Sequence, residues 1–130
     1  MQKITTFLMF DGEAEEAINF YVSLLKDSRI LSITRYEAGE NGAEGTVKHA
    51  AFSLSGQEFV AIDSSVEHDF TFTPAMSLYV HCYSEREIDD LFEKLSGKGQ
   101  VLMPLDEYPF SRRFGWVADR FGVSWQLDLE

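Results

Sequence analysis

The spacing of apolar positions changes period repeatedly along the first half of the chain. Residues 3–10, KITTFLMF, form a short apolar run that predicts a strand. In EAEEAINFYVSLLKD, the residues Ala14, Ala17, Ile18, Tyr21, Val22, Leu24 and Leu25 recur at helical spacing and predict a helix over 13–27. Asp11 and Glu13 place negative charge near its start, where the helix dipole favours it. Residues 29–37, RILSITRYE, predict a second strand, and the loop EAGENGAEG after it is too rich in Gly and Glu to pack. TVKHAAFSLSG and QEFVAIDS then predict a hairpin turning at Ser55–Gly56.

The second half repeats this order. Residues 75–83, AMSLYVHCY, predict a strand. Ser84 opens a capping box with Glu87, and a helix over 85–96 follows with Ile88, Leu91, Phe92 and Leu95 on one face. Gly97 or Gly99 ends it. QVLMPL, RRFGWVAD and VSWQLDL predict three more strands, the last two joined by D-R-F-G with Gly122 free to take a positive backbone angle. The helices match at a constant offset: Ile18 with Ile88, Tyr21 with Leu91, Val22 with Phe92, Leu25 with Leu95. The repeat lies in the pattern rather than in residue identity. The chain therefore reads as a single α+β domain over 1–130, with module one at about 1–63, a linker at 64–74 and module two at about 75–130. The linker is mixed polar and aromatic, and it is placed to serve as a lid or a dimer contact.

Composition narrows the partners. Eleven Lys and Arg against 22 Asp and Glu give a net charge of −11. Such a surface repels phosphate backbones and anionic membranes, so neither nucleic acid nor membrane is expected as a partner. No apolar run approaches the roughly 20 residues of a bilayer span, and MQKITTFLMF lacks the cleavage site of a signal peptide. A cytoplasmic protein is expected. The single cysteine, Cys82, permits no internal disulfide and reads as a buried, inert thiol in a strand.

Two βαβββ units in tandem resemble the layout of the vicinal oxygen chelate superfamily, which includes glyoxalases, bleomycin-resistance proteins and dioxygenases. FLMFDGEAEEAINFYVSLL resembles that superfamily's first strand and helix. FGWVADRFGVSWQLDL resembles its closing hairpin, with D-R-F-G where D-P-x-G is common. With the S-G-Q-E-F-V-A-I-D hairpin, the match is most similar to the PhnB-like branch, often labelled 3-demethylubiquinone-9 3-methyltransferase, and it covers nearly the whole chain. The resemblance implies curved sheets around a cavity, with helices on the outer faces, and a homodimer that completes the cavity between modules.

In this layout the metal-dependent members place their ligands on the first, fourth, fifth and eighth strands. Carried over by position, these fall on Thr6, Ala61 (or Asp63), Ser77 and Gln126. Hydroxyls are weak neutral donors and alanine is none, so no metal and no cofactor are expected. A displaced metal set could use His49, Asp63 and His81. The branch label is not matched by a methyl-donor site either, because no G-x-G-x-G turn stands in the chain.

Strand alternation assigns the expected pocket. Met76, Leu78 and Val80, with Trp125, Leu127 and Leu129, are expected toward the helices. Thr6, Phe59, Asp63, Ser77, Tyr79, His81 and Gln126 are expected to line one cavity, with Ser124 and Asp128 at its rim. Asp63 and His81 are the candidates for proton transfer. Trp116 and Trp125 are expected to share the helix-side face. One of Arg112 and Arg113 shares a face with Gly115, as an anion clamp or a surface salt bridge. Three functions follow: binding or sequestering an unknown small molecule, metal-free catalysis in the same cavity, and metal-dependent catalysis with displaced ligands.

Overall fold

The computed structural model describes residues 1–130, and the chain divides into two compact units, Met1–Asp69 and Phe70–Glu130. The first unit contains β1 (Thr6–Phe10), α1 (Ala14–Leu24), β2 (Arg29–Arg35), β3 (Val47–Leu54) and β4 (Gln57–Asp63). Its sheet runs β1-β4-β3-β2, with β1 and β4 parallel and the other pairs antiparallel. The second unit contains β5 (Leu78–Cys82), α2 (Glu85–Ser96), β6 (Gln100–Tyr108), β7 (Ser111–Ala118) and β8 (Ser124–Leu129). Its sheet runs β5-β8-β7-β6 with the same parallel and antiparallel pattern. Eight strands and two helices thus stand in the expected order, as two mixed four-stranded sheets. No helix is long and apolar enough to cross a membrane.

Local chemistry explains most of the boundaries. The β3–β4 hairpin turns at Ser55 and Gly56, whose φ angles of 50° and 87° suit a two-residue turn. Ser84 caps α2 by accepting from the Glu87 amide at 3.1 Å, and the Glu87 carboxylate reaches back to the Tyr83 amide at 2.9 Å. Helix α1 stops earlier than its apolar spacing predicts. Leu25 is extended, and Asp27 sits in the left-handed region at φ 53°. The chain leaves α2 through Lys98 at φ 61°, so neither Gly97 nor Gly99 supplies the left-handed residue.

Each helix packs on one face of its own sheet. In unit one, Ala14, Ala17, Ile18 and Tyr21 of α1 are buried, together with Leu8, Phe10, Ala50, Phe52, Phe59 and Ala61 of the strands. The rings of Phe52 and Phe59 stack at 5.3 Å. In unit two, α2 buries Ile88, Leu91 and Leu95 beside Cys82, Val117, Trp125, Leu127 and Leu129. Gly115 lets the helix come close: a Cβ there would lie 2.5 Å from the Phe92 ring. The neighbouring Arg113 pairs with Asp89 of α2 at 2.6 Å, so the salt bridge, not an anion clamp, accounts for that arginine.

Two buried carboxylates anchor the backbone. Asp63, 2% exposed, accepts from the amides of Gly12 at 2.8 Å, Ala14 at 2.9 Å and Val47 at 2.8 Å. It therefore supplies the capping charge at the start of α1 that Asp11 and Glu13 were expected to give, since Glu13 makes no side-chain cap. Asp119 does the same for the D-R-F-G turn. Its Oδ1 accepts from Phe121 at 2.8 Å and Val123 at 3.0 Å, and its Oδ2 takes the Trp125 indole N–H at 2.9 Å. Gly122 has φ 93° within that turn, as its position predicts.

Candidate functional site

The face of the second sheet opposite α2 gathers chemistry that a packed core does not need. The parallel register pairs Leu78 with Trp125, Val80 with Leu127 and Cys82 with Leu129, and this set faces the helix. Alternation puts Tyr79 and His81 on the other face, beside their partners Gln126 and Asp128. The antiparallel register adds Phe114 opposite Asp128 and Trp116 opposite Gln126. The expected orientation of β5 and β8 is thus the observed one, except that Met76 lies outside the strand and is exposed.

Two polar groups occupy this open face. In the first, the Ser77 and Ser124 hydroxyls lie 2.7 Å apart, the Gln126 amide donates to Ser77 at 3.1 Å, and the Trp116 indole donates to Ser124 at 2.8 Å. The Gln126 carbonyl oxygen is left as an acceptor. In the second, His81 Nδ1 lies 3.1 Å from a Glu130 carboxylate oxygen, and the Ser111 hydroxyl donates to Asp128. Partial burial, together with the charges of Asp128 and Glu130, raises the Tyr79 hydroxyl above the ordinary tyrosine range. Aromatic rings cluster beside the second group. Phe114 lies 6.5 Å from Tyr79, 6.0 Å from Tyr108 and 5.0 Å from Phe110. Phe110 and Tyr79 stay exposed.

The members expected from the first unit are elsewhere. Thr6 pairs with Phe59 and Phe10 with Asp63, and these strand positions share the face that packs on α1. Thr6, Phe59 and Asp63 are therefore corrected from cavity-lining to helix-facing. With both carboxylate oxygens bonded to buried amides, Asp63 is an anchor rather than a proton carrier. The open face of this sheet carries Phe7, Met9, Val60 and Ile62 instead. Sequence reasoning missed them because both faces of β1 and β4 are apolar. A usable signal was Ala61, whose small side chain suits a position beneath a helix.

Trp116 and Trp125 are likewise corrected. Trp116 pairs with Gln126 and Trp125 with Val117, so the two indoles lie on opposite faces of the second sheet. Cys82 behaves as expected: it is buried, and burial, aided by the charges of Glu87 and Asp128, pushes its thiol up to about 12. At that value it is no nucleophile near neutral pH.

The donor chemistry does not fit a metal at the positions carried over from metal-dependent relatives. Thr6 and Ala61 face the helix, Asp63 is committed to amides, and Ser77 is bonded to Ser124 and Gln126. The displaced set of His49, Asp63 and His81 is not assembled either, because His49 and Asp63 project from opposite faces of the first sheet.

Comparison with known proteins agrees with this architecture. A family model described as 3-demethylubiquinone-9 3-methyltransferase matches residues 2–128. A solved structure from Bacillus cereus, described as a 3-demethylubiquinone-9 3-methyltransferase, PhnB protein, is 64% identical with a TM-score of 0.98, covering 99% of this chain and 100% of that one. Protein YjdN of Escherichia coli (strain K12) is 22% identical over 139 residues, 97% of this chain and 94% of its own. A glyoxylase/bleomycin resistance protein/dioxygenase domain from Frankia sp. EAN1pec is 17% identical with a TM-score of 0.67, covering 99% and 92%, and shows the same fold.

Proposed function

Because the chain belongs to the 3-demethylubiquinone-9 3-methyltransferase family, a PhnB-like branch of the vicinal oxygen chelate superfamily, we propose that it binds a small molecule on the open face of its second sheet. The observation that carries this reading is the bonded set Ser77, Ser124, Gln126 and Trp116 on the face that also carries Tyr79 and Phe114. Apolar walls with a few convergent polar groups are the usual makeup of a ligand site. The polar groups satisfy one another, so the face is stable without a ligand. Ser77, Tyr79, His81 and Gln126 are its contact residues. The reading uses neither a resident metal at the carried-over positions nor a methyl donor.

The test begins with mass spectrometry of denatured protein to identify what co-purifies. That molecule is then titrated back while Trp116 emission is followed. Gln126→Leu is expected to weaken binding about tenfold or more, the equivalent of one lost hydrogen bond. It should change stability by less than about 1 kcal/mol, as expected for a side chain outside the packed core. Unchanged affinity in this variant would refute the site.

The same reading has the chain working as a homodimer in the cytoplasm, since an isolated βαβββ unit leaves open sheet edges and an uncovered face. Sedimentation at micromolar concentration should give twice the 14.8 kDa chain mass. A monomeric mass there counts against the dimer.

A further inference from the structure

We propose that His81, Asp128 and Glu130 form a binding site for one divalent transition-metal ion at the edge of the second sheet, away from the positions carried over from metal-dependent relatives. The proposal goes beyond the small-molecule reading and does not depend on it.

Backbone pairing builds the site. His81 and Asp128 are register partners on the parallel strands β5 and β8, so their side chains leave the sheet side by side. Glu130 follows two residues later on the same face. Its amide extends the ladder by donating to the Cys82 carbonyl at 2.8 Å, and its own carbonyl accepts from Arg112 at 2.6 Å. One ligand atom from each of the three side chains lies within 4.8 Å of the others. A metal with bonds of about 2.0–2.2 Å needs its donors somewhat closer than that. His81 and Glu130, at 56% and 44% side-chain exposure, have room to turn inward.

Charge and donor type point the same way. Neither carboxylate is paired with a lysine or arginine: Arg112 bonds the Glu130 main chain, and Arg113 is committed to Asp89 on the helix side. The one ion-pair contact that either of them makes is that of Glu130 with His81, at 3.1 Å. A divalent ion between them would replace repulsion by attraction. The Ser111 hydroxyl donates to Asp128, the kind of outer-shell support that orients a ligating carboxylate. An imidazole with two carboxylates suits Zn2+, Ni2+ or Mn2+, whereas Mg2+ and Ca2+ prefer oxygen alone.

The test uses untagged full-length protein, stripped with chelator and titrated with ZnCl2 by calorimetry. One Zn2+ per chain is expected. His81→Ala and Asp128→Asn should each weaken it at least about tenfold, since even loss of an outer-shell partner can cost that much. His49→Ala and His68→Ala should not weaken it. In the unmodified protein, Mn2+ should broaden the NMR signals of the His81 ring ahead of those of His49 and His68, a readout independent of any variant's folding. Zinc affinity unchanged in His81→Ala, loss of zinc through His49 or His68, or Mg2+ binding as tight as Zn2+ would each overturn the proposal.

Discussion

Asp63→Ala is expected to lower folding stability by about 4 kcal/mol, because it leaves buried amides without an acceptor at roughly 1–3 kcal/mol each. Three amides depend on this carboxylate: Gly12, Ala14 and Val47. They lie at the start of α1 and the start of β3, so one side chain ties the helix entry to the sheet. Water cannot easily replace it at 2% exposure. Urea unfolding gives the measurement: a lower midpoint with an unchanged slope reports lost stability rather than an altered unfolded state. Asp63→Asn keeps the shape but turns an N–H toward amide donors, and it should recover only part of the loss. A cost below about 1 kcal/mol for the alanine variant would show that the carboxylate does not anchor the backbone. A proton-transfer role would give the opposite pattern, with stability kept and turnover lost.

The same residue shows where sequence reading stops. The tandem βαβββ order was legible, because the change from strand to helical spacing and back is printed in the apolar positions. The Ser84–Glu87 capping box and the Ser55–Gly56 turn were legible for local reasons, since their bonds close within a few residues. The faces of the second sheet were legible because β8 alternates cleanly, Trp125, Leu127 and Leu129 against Gln126 and Asp128. The faces of β1 and β4 were not. Phe7 and Met9 are as apolar as Leu8 and Phe10, and Val60 and Ile62 as apolar as Phe59 and Ala61, so alternation had no sign. A terminal Asp on such a strand reads as polar and outward, yet Asp63 is buried because its partners are backbone amides from distant segments. The candidate site was half legible for the same reason: Ser77, Tyr79, His81 and Gln126 stand on one face, while Thr6, Phe59 and Asp63 belong to the α1 side. The opposite placement of Trp116 and Trp125 depends on hairpin register. The Asp119 amide to Val123 carbonyl bond at 2.8 Å fixes that register, and composition does not reveal it.

Asp119→Asn is expected to cost about 2–3 kcal/mol, and the loss should shrink by about 1 kcal/mol or more in a Trp125→Phe background. Asp119 is 4% exposed and divides its two oxygens between different tasks. Oδ1 holds the turn through the Phe121 and Val123 amides, and Oδ2 takes the indole N–H of Trp125, which is itself 1% exposed. An asparagine can keep its oxygen on the turn only by pointing its NH2 at the indole N–H, or the reverse. Either way two donors meet in a buried place. Removing the indole N–H with Trp125→Phe removes that conflict, so the two substitutions should couple. Urea unfolding of the wild type, both single variants and the double variant closes the cycle. Purely additive losses would mean that Asp119 acts on the turn alone and that the bond to Trp125 contributes nothing to placing β8. Strong coupling would tie the D-R-F-G turn to the strand that carries Gln126 and Asp128, and so to the positioning of the open face itself.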